Sequence, residues 1–152
     1  FAYGSNMQSA TFEGRRGMRP LQRAVGTLAG YRLCFDLPVG PGERGVANVV
    51  AAEDDHVCGV LYLLTHEDFV RLDATEGVGS GLYRRIAVDV VDGVGVIVQA
   101  WPYRSTFSTP GRKPSPPYIG PLLQGAREHQ WPQEYVTRLE SFELAPAERV
   151  KV

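Results

Sequence analysis

Hydrophobic positions along this chain change period several times, and each change marks an element. Phe1, Ala2 and Tyr3 read as the end of a buried strand, broken at Gly4-Ser5-Asn6 by residues that favour turns. Gln8 to Ala24 is polar and carries Arg15, Arg16, Arg19 and Arg23; its glycines and Pro20 argue against a long regular helix. Val25 to Phe35 is a half-buried strand, because Tyr31, Leu33 and Phe35 alternate with Arg32, Cys34 and Asp36. Leu37 to Gly42 is a loop by composition. Val46 to Ala52 and His56 to Leu64 read as two strands joined by the polar turn Glu53-Asp54-Asp55. Their near-continuous apolar character predicts burial on both faces, as in a barrel or a covered sheet.

Thr65 with Asp68 three residues on resembles a capping box and opens a short helix. Phe69, Leu72 and Glu76 share one stripe of it, and Gly77 is placed to end it. Leu82 to Val91 alternates as a strand, Asp92-Gly93 turns, and Val94 to Trp101 runs back as the other arm of a hairpin. Ser105 to Pro117 is rich in Ser, Thr, Pro and Gly, a loop of the length that covers a site or is disordered. Leu122, Leu123 and Ala126 show helical spacing, with Pro121 predicting a late start or a kink. Pro132 opens a last helix with Tyr135, Val136, Leu139 and Phe142, and 143–152 reads as a loosely held tail. No internal repeat is visible, so 1–152 is read as one α+β domain, a mixed, barrel-like sheet with a few flanking helices.

Composition narrows the function classes. With 152 residues and 43% hydrophobic content the chain can bury a proper core, and a net charge of −1 offers no field to attract nucleic acid or an anionic membrane. The longest apolar run, Val57 to Leu64, is too short to span a bilayer as a helix. Cys34 and Cys58 lie apart in apolar runs, which suits buried thiols in a reducing compartment and predicts a cytoplasmic protein. His56, His66 and His129 have no ligand spacing, so no metal is expected. The chain starts at Phe1 rather than Met, so further residues upstream are expected and a targeting segment stays open.

Three stretches carry candidate chemistry. The Tyr3-Gly4-Ser5-Asn6 turn is either an ordinary strand end or a nest whose N–H groups converge on a carboxylate or an oxyanion. Glu76 is either a carboxylate on the core-facing side of its helix, where such a cost is tolerated at functional sites, or a solvated acid paired with Arg84 or Arg85. The arginines at 15–23 are either a solvated face or a contact for an anionic group.

Four blocks, taken in order, resemble the γ-glutamylcyclotransferase family: Phe-Ala-Tyr-Gly-Ser-Asn at 1–6, Leu-Asp-Ala-Thr-Glu-Gly-Val at 72–78 with Gly81-Leu82-Tyr83, Pro-Ser-Pro-Pro-Tyr at 114–118, and Gly-Ala-Arg-Glu at 125–128. The last two look more like its glutathione- and butirosin-pathway members than its shorter γ-glutamylamine branch. The resemblance implies a barrel-like α+β fold, no cofactor, a small γ-glutamyl substrate, a homodimer, and release of 5-oxoproline by attack of the glutamyl α-amine on its own γ-carbonyl. It maps the catalytic glutamate onto Glu76 and the glutamyl cradle onto Phe1, Ala2, Tyr3, Gly4, Ser5 and Asn6. It also maps a closing tyrosine onto Tyr118, with Tyr103 and Tyr83 nearby. Other outcomes stay open: removal of a γ-glutamyl protecting group from a metabolite amine, as in an antibiotic pathway, or a non-catalytic γ-glutamyl-binding module. Met7 stands where the family commonly has leucine, and neither the arginine cluster nor the Ser105–Lys113 loop has a counterpart, which bears on what lies beyond the γ-glutamyl group.

Overall fold

Two long antiparallel strands organise the molecule. In the computed structural model, which describes residues 1–146, β1 (Gln22–Pro38) pairs with β2 (Gly45–Leu63) along nearly its whole length. The burial alternation at Leu33, Phe35 and Leu37 follows the period-2 pattern of the sequence. The two strands expected on either side of Glu53-Asp54-Asp55 are one strand. The register runs to Ala29↔His56 and resumes at Tyr31↔Ala51, so Gly30 of β1 faces Ala52 to Asp55 of β2 in a wide bulge. What reads as a turn is an anchor, because Asp55 takes two hydrogen bonds, of 2.7 and 2.6 Å, from the Arg138 guanidinium.

Helix α1 (His66–Thr75) starts as the sequence predicts, with the Thr65 hydroxyl accepting from the Asp68 N–H at 3.1 Å. The strand expected from Leu82 to Val91 is split. β3 (Arg84–Arg85) pairs with β6 (Tyr103–Arg104) in a two-stranded sheet, whereas β4 (Val88–Asp92) forms the expected hairpin with β5 (Ile97–Ala100). The larger sheet has the order β2-β1-β4-β5, all antiparallel. It is not a closed barrel. β1 and β4 share only Gly26↔Asp92 and Thr27↔Val91, and β2 and β5 remain separate edges.

Helix α2 (Pro116–Glu128) begins earlier than Pro121 suggested. Pro116 and Pro117 occupy the first turn, where a missing N–H removes no helical bond. Helix α3 (Gln133–Glu140) follows Pro132, as the sequence predicts. Of the tail expected to be loosely held, Ala145 is buried and donates to Pro114 O at 2.9 Å; 147–152 lie outside the described residues. Among the described residues no helix is long and apolar enough to cross a membrane.

Two buried clusters result. The larger joins Met7, Val49, Val57, Val60, Val90, Leu122 and Ala126; the smaller joins Phe12, Met18, Leu37, Leu72, Tyr83 and Tyr103. The start of the chain is fixed across them. Ala2 forms a bridge to Val60 with reciprocal bonds of 2.8 and 2.9 Å, where the sequence had suggested the end of a strand. Gly59 permits this approach: a Cβ there would lie 2.4 Å from Ala2 O and 2.5 Å from the Phe1 ring. Overpacking of this kind costs about 1–3 kcal/mol. Gly59→Ala is therefore expected to lower Tm by roughly 3–9 °C in a thermal melt. An unchanged Tm would show that this bridge yields freely.

Candidate active site

A cavity of about 250 Å³ lies along the seam between the two buried clusters. Phe1, Ala2, Tyr3, Gly4, Ser5, Asn6, Glu76, Tyr103 and Tyr118, the residues singled out in the sequence, all line it. Tyr83 lines it too, with Arg16, Val46, Ala47, Thr75 and Leu82.

Glu76 caps the C-terminus of α1. Its N–H donates to Leu72 O at 3.0 Å, and Gly77 then takes the left-handed conformation (φ 68°) that ends the helix. The Glu76 side chain is only 14% exposed. Its Oε1 accepts from Asn6 Nδ2 at 3.0 Å, and Arg16 Nη2 stands 3.8 Å away. Burial pushes the Glu76 carboxyl above its ordinary value, and this outweighs the opposing pull of the Arg16 charge and the Asn6 hydrogen bond. Neither Arg84 nor Arg85 neutralises it. Arg85 is drawn to Asp73 instead, through Nε at 2.7 Å and a second contact from Nη2, and lies 3.8 Å over the Phe69 ring.

Asp73 was not foreseen. It sits on α1 three residues before Glu76 and holds Arg85 of β3 and the Tyr103 hydroxyl of β6 (2.6 Å), fixing the end of the helix to the small sheet. Its place inside the 72–78 block was the available signal. Arg16 belongs to the cluster whose role was open, and nothing in its spacing distinguishes it from its neighbours. Ala47 enters through its backbone: its N–H donates to Tyr118 Oη at 2.9 Å, and its carbonyl accepts from Tyr83 Oη at 2.6 Å.

A family model described as AIG2-like matches residues 56–139. Over 149 residues the chain is 32% identical to the γ-glutamylcyclotransferase of Bos taurus, covering 94% of this chain and 77% of the bovine protein. The chain belongs to the AIG2-like, γ-glutamylcyclotransferase family. A solved γ-glutamyl cyclotransferase superposes with a TM-score of 0.85 at 28% identity, over 100% of this chain and 90% of the other. The γ-glutamyl cyclotransferase gliK of Claviceps purpurea is 32% identical over 88% of this chain and 64% of its own length.

In this member of the AIG2-like family the pocket tyrosines divide by where their protons go. Tyr3 donates to the Tyr103 carbonyl, Tyr103 to Asp73, and Tyr83 to Ala47 O. Tyr118 accepts from Ala47, which leaves its own O–H proton available to a ligand. Burial pushes the Tyr118 phenol up to about 12 and the Tyr3 phenol well above its ordinary value, so both stay protonated donors at neutral pH. Ser5 and Asn6 begin a one-turn 3-10 helix (Ser5–Met7), whose first N–H groups have no intrahelical carbonyl to meet. Tyr62 Oη holds Asn6 O at 2.9 Å and so fixes this turn from below.

Hydrogen bonds from Arg85, more than any other influence, hold the Asp73 carboxyl below its ordinary 3.8. A group depressed in the folded state stabilises it above the unfolded value, and that contribution is lost as pH falls through the folded value. Asp73→Asn is therefore expected to lower Tm by roughly 3–8 °C at pH 7, with the gap to the parent protein closing as pH falls below about 4. Thermal melts of both proteins across that range check it. A gap independent of pH would show that packing, not charge, fixes the end of the helix.

Proposed function

We propose that this chain is a γ-glutamyl cyclotransferase that converts a γ-glutamyl peptide or amide into 5-oxoproline and a free amine. The observation that carries the proposal is a desolvated carboxylate, Glu76, lining one small pocket with the Gly4–Asn6 turn and hydrogen-bonded to its Asn6. The named activity of relatives about 30% identical over most of the chain supports it.

The α-nitrogen must give up two protons, because an ammonium becomes a lactam N–H. Glu76 removes a proton from the substrate's α-ammonium, and the freed amine attacks the γ-carbonyl carbon, forming the ring C–N bond. Negative charge collects on the carbonyl oxygen, where backbone N–H groups of the 4–6 turn and the Tyr118 hydroxyl are suited to stabilise it. The tetrahedral intermediate then collapses, and the original amide C–N bond breaks as Glu76 gives its proton to the departing nitrogen. The ring nitrogen passes its second proton through Glu76 to the released amine, which leaves as an ammonium. Nucleophile and electrophile belong to one molecule, so holding the glutamyl chain folded supplies much of the rate. Raising the carboxyl toward neutrality brings it closer to the ammonium it must deprotonate.

A second reading keeps this reaction and takes the leaving group from a biosynthetic metabolite amine rather than from glutathione-type peptides. Similarity to fungal cyclotransferases named gliK and aclK, 32% and 29% identical, favours including such amines. The two free thiols suit a reducing compartment such as the cytoplasm.

The test is 5-oxoproline release from a panel of γ-glutamyl dipeptides and γ-glutamyl amines, with Glu76→Gln alongside. The variant keeps the shape and hydrogen-bonding reach of the side chain but deletes the base. It is expected to lose roughly 10²–10⁴-fold in kcat with an unchanged circular dichroism spectrum. In the parent enzyme kcat/KM is expected to rise with pH through a midpoint above the ordinary carboxyl value of 4.5, because only the ionised form accepts the proton. Normal turnover by Glu76→Gln would assign the base elsewhere.

A further inference from the structure

Arg16 sits differently from the arginines that anchor the fold through carboxylates. Arg23, Arg71, Arg85 and Arg138 each give a guanidinium N–H to a carboxylate within hydrogen-bond distance, at 2.7, 2.9, 2.7 and 2.6 Å. Arg16 lines the cavity instead, and its nearest carboxylate oxygen, Glu76 Oε1, is 3.8 Å from Nη2, beyond a hydrogen bond. Its Nε is buried and has no partner among the described residues. A buried donor left unmet costs free energy, and a guanidinium with adjacent free N–H groups is shaped for a carboxylate.

We propose that Arg16 binds the α-carboxylate of the γ-glutamyl unit and is a specificity-determining residue of the pocket. The inference rests on the cyclisation proposed above. If Glu76 takes a proton from the α-ammonium, the α-carboxylate, attached to the same carbon, must lie beside Glu76, and Arg16 is the cation standing there. The leaving amine departs from the same carbonyl, but a carboxylate of its own lies outside the glutamyl unit, whereas Arg16 Nε is enclosed in the protein. Met18, two residues on, is buried in the smaller cluster, and the Arg16 N–H is held by Thr11 O at 2.9 Å, so the backbone carrying this side chain is fixed.

Three substrates separate the alternatives. A γ-glutamyl-alanine dipeptide carries both carboxylates, γ-glutamyl-ethylamide lacks that of the leaving group, and 4-aminobutyryl-alanine lacks the α-carboxylate. The last cyclises to 2-pyrrolidinone by the same exchange of one C–N bond for another, with two of the three ammonium protons passing to the alanine nitrogen, which leaves as an ammonium. In Arg16→Met, kcat/KM is expected to fall roughly 10- to 100-fold for both γ-glutamyl substrates and to stay within a few-fold for 4-aminobutyryl-alanine. Loss on γ-glutamyl-alanine alone would place Arg16 at the leaving group and overturn the proposal, as would an equal loss on all three. Arg16→Lys keeps the charge without the fork and carries the same comparison if the methionine variant does not fold.

Calorimetric binding of 5-oxoproline and of 2-pyrrolidinone gives a second readout that needs no turnover. Arg16→Met is expected to weaken only the first; equal weakening of both, or of neither, overturns the assignment. Failure of the parent enzyme to release 5-oxoproline from any γ-glutamyl substrate would reject the cyclisation, and the binding comparison would still decide the role of Arg16.

Discussion

The outer edge of β2 is the constraint around which the rest is built. This strand is 19 residues long and terminal in its sheet, so a long row of N–H and C=O groups faces away from β1. Such an edge is an energetic burden when buried and an aggregation template when exposed. It is taken up piece by piece. Gly45 N–H donates to Lys113 O, Ala47 is held by Tyr118 and Tyr83, and Val60 pairs with Ala2, while the Asn48 side-chain amide adds two bonds of 3.0 Å to the Ser105 backbone. Most of these partners line the pocket or adjoin a residue that does. Satisfying one sheet edge thus gathers segments from the start, middle and end of the chain around a single cavity.

Charge is handled unevenly among the carboxylates of this fold. Asp73 and Asp55 each receive an arginine at hydrogen-bond distance and become fixed anchors, one for α1 and one for the bulge of β2. Hydrogen bonds from Arg138, above all, hold the Asp55 carboxyl down at about 2. Glu76 receives only a neutral amide and a distant guanidinium, so burial prevails and its proton affinity rises. The same side-chain chemistry gives structural acids where the pairing is close and a reactive acid where it is not.

Local chemistry made much of this legible in advance. The Thr65 cap, the end of α1 at Gly77, the alternation in β1 and the hairpin of β4 with β5 all depend on neighbours close in the chain. Glu53-Asp54-Asp55 misled because a polar triplet reads as a turn until its partner is known, and Arg138 lies 83 positions away. The start of α2 was readable, since consecutive prolines suit a first helical turn, but Pro121 drew the boundary inward. The open sheet was not readable, because closure depends on how few residues β1 and β4 share. Glu76, the first turn and Tyr118 were visible as motifs. Arg16 and Ala47 were not, for one acts through its position in the fold and the other through its backbone.

The position of Glu76 at the end of α1 has an electrical consequence. Aligned peptide dipoles leave the C-terminus of a helix partly negative, a place suited to basic side chains, and α1 has none in its last turn. Its acids Glu67 and Asp68 stand at the opposite, favourable end. A carboxylate beyond the last turn is opposed by about 0.3–1 kcal/mol at such an end, whereas a neutral carboxylic acid is not. The helix field therefore adds to burial in favouring the proton-bearing state of this side chain. In a reaction where that state exists only between deprotonation of the α-ammonium and release of the amine, α1 lowers the energy of the reacting stage rather than of the resting enzyme.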